Sequence, residues 1–85
     1  MDKQTFERIL DREAENKGRK EMAANAKALH AKLKELRNLP HENETERNLT
    51  EQIVSQTEDL LFNCCLYVLR DTEVSAKDIA TYIKA

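Results

Sequence analysis

At residues 60–69 the chain reads LLFNCCLYVL, its longest run of apolar side chains. Asn63 is the one interruption, so a helix through this stretch is apolar on nearly every side. Such a helix must be covered by several neighbours, because one partner hides only one stripe. A helix that crosses a bilayer needs about 20 apolar residues. The stretch therefore predicts the centre of a helical core and no membrane segment.

The helix that contains this run extends back to a turn. Pro40 disfavours helical geometry at the residue before it, and Asn43 with Glu46 can cap a new helix. Helix two is therefore predicted over about residues 44–70. It carries two adjacent apolar stripes. The first comprises Leu49, Ile53, Leu60, Cys64 and Tyr67, and the second comprises Val54, Leu61, Cys65 and Val68.

A short helix is predicted after this one, over about residues 76–84. Ser75 is the expected N-cap, and Asp78 three residues later completes a capping box. Ile79, Tyr82 and Ile83 are spaced to fold back over the apolar end of helix two. Helix three therefore supplies one of the covers that helix two needs.

The N-terminal segment predicts a first helix over about residues 2–38, with Asp2 as N-cap and a possible break near Gly18. Its second half has an apolar seam of alternating steps of four and three, which is typical of one side of a helical hairpin. The seam comprises Met22, Ala26, Leu29, Leu33 and Leu36.

A length mismatch bears on the fate of Phe6, Ile9 and Leu10. An unbroken first helix would span about 54 Å and helix two about 40 Å. Either the chain bends near Gly18 and returns these side chains to the core, or they project and are buried by a second copy or a foreign partner. We expect the second arrangement. The predicted fold is thus all-α, a single domain over residues 1–85, with an antiparallel helical hairpin and a short C-terminal helix completing a bundle by dimerisation.

Composition supports this class. The chain has 85 residues, of which 35% are charged and 40% hydrophobic, with one Gly and one Pro. That length excludes a multidomain enzyme, and so few turn residues exclude an all-β fold. The net charge is −2. It conceals an asymmetry, because residues 1–37 have an excess of three basic side chains and residues 38–85 an excess of five acidic ones.

One basic feature could bind phosphate or an acidic partner. Lys20, Lys27 and Lys34 recur every seven residues along the first helix. Such a row could neutralise the phosphates of a nucleic acid without recognising its base sequence. Glu21 and Glu35 interrupt it, however, and no aromatic side chain is interleaved for base stacking. An ordinary solvated helix face is the simpler interpretation.

No residue pattern indicates catalysis, a metal or a cofactor. A single Gly cannot build a phosphate-binding loop, and metal-ligand spacings such as Cys-x-x-Cys are missing. His30 and His41 are expected to be solvated or to cap a helix. The neighbouring Cys64 and Cys65 cannot form an ordinary disulfide with each other and are expected to be small buried apolar groups. The polar start of the chain lacks the apolar core of a secretory signal, so a cytoplasmic location is expected.

These observations predict a non-enzymatic regulatory or adaptor protein that binds a second copy of itself and another protein through apolar helix faces. Phe6, Ile9 and Leu10 are the predicted partner-binding residues. The alternative is a small DNA-associated transcriptional regulator that uses Lys20, Lys27 and Lys34. No membrane partner is expected.

Overall fold

A computed structural model describes all residues, 1–85, and contains four α-helices and no strand. They are α1 (Lys3–Lys17), α2 (Lys20–Arg37), α3 (Glu44–Leu69) and α4 (Ala76–Lys84). Helices α2 and α3 run antiparallel, since Arg19 at the start of α2 contacts Tyr67 near the end of α3, and Arg37 at the end of α2 contacts Glu58. The predicted all-α class and the antiparallel hairpin are confirmed.

The predicted first helix is divided in two at Gly18. This residue has a φ of 67°, in the left-handed region, which ends α1. Its N–H and that of Arg19 donate to the carbonyl oxygens of Glu15 and Ala14, at 3.3 and 2.7 Å. The chain then reverses, so α1 folds back beside α2. The expectation that the N-terminal side chains project was therefore wrong, because the bend returns Phe6 and Leu10 to the core, where they are 1% and 0% exposed.

The predicted caps form as expected. The Asp2 carboxylate accepts the Thr5 N–H at 2.7 Å, and the Asn43 side chain accepts the Glu46 N–H at 2.9 Å. Ser75 and Asp78 form a reciprocal capping box. Each cap satisfies backbone donors that the first turn of a helix leaves free.

One hydrophobic core draws on all four helices. Its buried members are Phe6, Leu10, Ala14, Ala23, Ala26, Leu33, Leu61, Cys65, Val68, Leu69, Ile79, Tyr82 and Ile83. Of the α3 residues in this set, Leu61, Cys65 and Val68 belong to the second predicted stripe, and Leu69 belongs to neither stripe. The core therefore contacts only part of the circumference of α3.

Helix α4 is fastened to the other helices through Tyr82. Its ring is stacked between those of Phe6 and His30, with centroids 4.2 and 4.3 Å away. Its hydroxyl donates to Glu7 at 2.6 Å. Two side chains of α2 contact carbonyl oxygens in the last turn of α4. Arg37 donates to the Ile83 carbonyl at 2.9 Å, and the His30 ring lies 2.9 Å from the Tyr82 carbonyl. These contacts satisfy carbonyls that the end of a helix leaves free.

None of the four helices combines the length and the apolar character that a bilayer crossing requires.

Candidate functional site

Most of the large apolar side chains that are exposed lie on α3, and all of these except Leu66, which is 43% exposed, lie on one line. Leu49, Ile53, Leu60 and Tyr67 are 54%, 48%, 56% and 43% exposed. Exposed Gln56 and Asn63 continue the same line, which follows alternating steps of four and three. We call these six residues the α3 stripe. Their spacing is that of a seam against another helix, yet no helix of the chain covers it.

The stripe is open because the neighbours of α3 lie on its other sides. In α2, Leu29 lines a groove with Cys64 and Arg37 contacts Glu58, so α2 is centred a quarter to a third of a turn away from the stripe around the axis of α3. Helices α1 and α4 also pack against α3. The side of α3 left to solvent contains the apolar residues of the stripe, with Asp59 and Leu66 beside them.

A shallow groove borders the stripe on the α2 side. It is lined by Asn25, Ala28, Leu29, Lys32 and Cys64. Cys64 is half-buried and Cys65 is buried, and neither forms a disulfide. Burial raises the pKa of the Cys64 thiol and raises that of Cys65 to about 12. Both thiols are therefore neutral at pH 7 and act as apolar groups, which confirms the expectation for Cys65.

The Tyr67 end of the stripe is basic. The Arg19 guanidinium lies 4.2 Å from the centroid of the Tyr67 ring and donates to its carbonyl oxygen at 2.8 Å, while Arg70 lies 5.3 Å from the same ring. Lys20 and Glu21 line the adjoining hollow. No ion pair of the chain includes Arg19, Lys20 or Arg70. Three cations without an ion-pair partner therefore lie around Tyr67, with the Glu21 carboxylate beside them. Asp71 and Glu73, which follow Arg70 in the chain, line a different hollow with Ile9 and Arg12.

The Leu49 end of the stripe is acidic. Glu44, Glu46 and Glu51 lie on the first two turns of α3, and all are exposed. Arg47 is the one cation among them, and its guanidinium lies 3.8 and 3.5 Å from the carboxylates of Glu44 and Glu51. The two ends of the stripe thus carry opposite net charge.

The residues predicted to bind a partner do not form a docking surface. Phe6 and Leu10 are buried and Ile9 is half-buried against the core. The bend at Gly18 is the physical reason, because it places α1 against α2 and α3. The four apolar members of the α3 stripe all belong to the first predicted stripe of helix two, but nothing in the sequence indicated that this stripe would face solvent.

The lysine row is not a uniform basic surface. Lys20 and Lys34 are exposed, whereas Lys27 is half-buried and its ammonium lies 2.9 Å from the Asp11 carboxylate. This pair joins α1 to α2. The charge of Lys27 is therefore paired within the chain, and only two of the three lysines are available to a partner.

The two histidines differ in their surroundings. His41 is exposed in the α2–α3 turn, whereas His30 is only 2% exposed and is not solvated. The His30 ring instead contacts a carbonyl in the last turn of α4, which agrees with the expected alternative of a capping side chain. Its Nε2 lies 2.9 Å from the Tyr82 carbonyl oxygen, to which it donates in the tautomer that this contact requires. Burial is the main cause that lowers the pKa of His30. His30 is therefore a neutral, hydrogen-bonded part of the core.

No group of three or more His, Cys, Asp or Glu side chains is arranged to hold a metal ion. In comparisons with known proteins, the chain matches no family model, no curated protein and no solved structure.

Proposed function

We propose that this chain is a non-enzymatic regulatory or adaptor protein, and that it acts by protein–protein interaction through the α3 stripe. The observation that carries the proposal is the exposure of four large apolar side chains at helix-pairing spacing on one side of α3. Contiguous apolar surface of this kind, rimmed by polar residues, marks interaction sites. Helix-against-groove recognition uses anchors at such spacing.

The size of the stripe sets what a partner must contact. Full burial of a large apolar side chain contributes about 1.5 to 3 kcal/mol, so four half-exposed ones contribute roughly 3 to 6 kcal/mol. Association costs at least about 4 kcal/mol in lost freedom. The stripe alone is therefore marginal. A stable complex must also use the adjoining groove at Leu29 and Cys64 and the charged ends.

The alternative of a DNA-associated regulator has less support. It would use Lys20, Lys27 and Lys34, but Asp11 neutralises the middle lysine. The protein has a net charge of −2 and no aromatic side chain within the row. Its two unpaired thiols favour a reducing compartment, and we propose the cytoplasm.

Site-specific photo-crosslinking tests the proposal. The photoreactive residue benzoylphenylalanine is placed at position 60, on the stripe, or at position 55, an exposed serine on another side of the same helix. Both variants are produced as full chains in the cells from which the gene comes. We expect a protein adduct of defined mass, with a second copy or with another protein, at position 60 and none at position 55. Equal labelling at both positions, or no adduct at position 60, would overturn the proposed function.

A further inference from the structure

We propose that the partner at the α3 stripe is a second copy of this chain, with the two α3 helices antiparallel about a twofold axis. This inference rests on the proposed function and gives the site a specific occupant. Two α2–α3 hairpins would then face one another, and each α3 would lie against the stripe and groove of the other copy.

The position of α2 permits this arrangement. Because α2 packs a quarter to a third of a turn away from the stripe, a helix laid on the stripe makes nearly a right angle with α2 around α3. That is the arrangement of neighbours in a four-helix bundle. Cys64 and Leu29 in the intervening groove would then face the bundle interior. Their half-buried, apolar character suits that position.

Charge decides between the two directions of pairing. A parallel pair would place the acidic Leu49 end against its own copy and the basic Tyr67 end against its own copy. An antiparallel pair brings each acidic end against the basic end of the other copy. Opposite charges at both ends therefore favour the antiparallel direction, and in a twofold dimer every such contact is made twice.

One register uses the whole stripe. If the axis passes beside residue 58, Glu46 faces Arg70 of the second copy and Leu49 faces its Tyr67. Gln56 then faces Leu60, and Ile53 faces Asn63. A shift of one heptad in either direction breaks this match. One shift leaves Tyr67 opposite Glu42, outside the helix. The other leaves Leu49 opposite Val74, beyond the end of α3, and pairs the other three apolar side chains with polar ones.

The same register makes one unfavourable contact. Asp59 is exposed beside the middle of the stripe, on the side away from α2. With the axis beside residue 58, the two copies of Asp59 face each other, so their like charges oppose association. A parallel pair does not bring them together.

Such a dimer must bury more surface than the stripe. A stable interface buries about 800 Å² on each partner. The accessible surface of the chain is 5800 Å², so roughly one seventh of it would be covered. From Leu49 to Tyr67 the stripe is about 27 Å long. A contact of that area must include the groove and both charged ends as well as the stripe.

Charge exchange tests the register, with the dimer dissociation constant measured by analytical ultracentrifugation of the full chain. We expect Arg70→Glu and Glu46→Lys each to raise the constant about tenfold, because each creates two like-charge contacts per dimer. The double variant should return to within about threefold of the original chain, since it restores both pairs in reverse. Asp59→Asn should tighten the dimer severalfold.

Matched controls separate this effect from loss of fold. Glu44→Lys changes the same turn as Glu46→Lys but on another side of α3, and it should leave the constant unchanged. The carboxylate of Glu46 also accepts the Glu42 N–H at 2.9 Å. Circular dichroism of every variant therefore checks that α3 is intact. Arg70 is the C-cap residue of α3, but its side chain makes no capping hydrogen bond, so Arg70→Glu carries the test if Glu46→Lys loses helix.

Disulfide trapping tests the direction independently. Gln56→Cys and Leu60→Cys are made separately in a Cys64→Ser chain, and one of them carries a mass tag. In an oxidised equimolar mixture we expect mainly the mixed disulfide, because residue 56 faces residue 60 of the second copy. Two homodimeric disulfides would indicate a parallel pair and overturn the antiparallel direction.

The outcomes distinguish this inference from the proposed function. A chain that remains monomeric at millimolar concentration overturns the inference. If the same chain forms an adduct with a different protein at position 60 in cells, the proposed interaction role stands. Only the identification of the partner as a second copy is then wrong. If no adduct forms at position 60 either, both proposals fail.

Discussion

Leu10 and Leu60 are the same side chain in opposite surroundings. Leu10 is completely buried between α1 and its neighbours, whereas Leu60 is 56% exposed on the α3 stripe. Removing a buried leucine leaves a cavity as well as losing the transfer free energy. Removing an exposed leucine leaves no comparable cavity and loses less transfer free energy. The difference separates residues that hold the fold together from residues free to bind a partner.

We therefore expect Leu10→Ala to lower the free energy of unfolding by about 2 to 5 kcal/mol. Leu60→Ala should lower it by less than about 1 kcal/mol when the chain is dilute and monomeric. Urea denaturation followed by circular dichroism measures both. Equal losses would mean that Leu60 belongs to the core of the single chain.

His30 makes stability depend on pH. Burial lowers its pKa below the value of about 6.5 for an exposed imidazole, with Lys3 and Lys34 acting in the same direction and Glu7 and the Tyr82 carbonyl opposing them. Above about pH 6.5, His30 is neutral in both the folded and the unfolded chain, and its contribution to stability is complete. As the pH falls below it, the unfolded chain binds a proton before the folded chain does, so stability decreases.

The expected result is a free energy of unfolding that declines between about pH 6.5 and the lowered pKa of His30. His30→Gln, which keeps a side-chain donor for the Tyr82 carbonyl oxygen, should flatten the profile in that interval. Urea titrations at half-unit pH steps measure it. A profile that is identical in the two proteins would assign the dependence to another group.

At the scale of the helices, the joint between α1 and α2 depends on Gly18. No atom lies within 4 Å of the position that a Cβ would occupy there, so space is not the constraint. The constraint is the φ of 67°, because L residues with a side chain rarely adopt it. Gly18→Ala should therefore cost about 1 kcal/mol, measured by denaturant unfolding.

Gly18→Asn serves as the comparison, because asparagine tolerates the left-handed region better than alanine does. Its loss should be smaller. If both variants match the original stability, the reversal after α1 does not need this backbone conformation.

The caps could be predicted from the sequence, whereas the position of α1 and the exposed side of α3 could not. Asp2, Asn43 and Ser75 act within one turn, so residue type and spacing suffice to place them. The fate of α1 depended on whether Gly18 would end a helix, and a glycine inside a helical pattern leaves that open. Residues 60–69 are apolar all round, so periodicity could define two stripes on α3 but not decide which one would be covered.

At the scale of the whole molecule, an interface between copies links stability to concentration. A ligand that binds only the folded state raises the apparent stability by mass action, and a second folded copy acts in the same way. If α3 pairs as proposed, the melting temperature of the chain should rise by several degrees over a hundredfold increase in concentration. Differential scanning calorimetry at two or more concentrations measures this.

Leu60→Asp provides the control for that measurement. It introduces a charge on the stripe without entering the core, so the dilute chain should melt at nearly the same temperature as the original. Its melting temperature should not change with concentration. A concentration dependence that survives Leu60→Asp would place the contact elsewhere on the surface.

The position of Cys64 gives the protein an intrinsic footprinting probe. Its side chain is half-buried and lines the groove beside the stripe, whereas Cys65 is completely buried. Since thiolate is the species that reacts with maleimides and the pKa of Cys64 is raised, alkylation of the free chain should be slow but measurable, and selective for this one side chain. Any molecule that settles on α3 would shield it further. Mass spectrometry of the alkylated protein thus reads out occupancy in the unmodified sequence, without a fluorophore or an engineered handle.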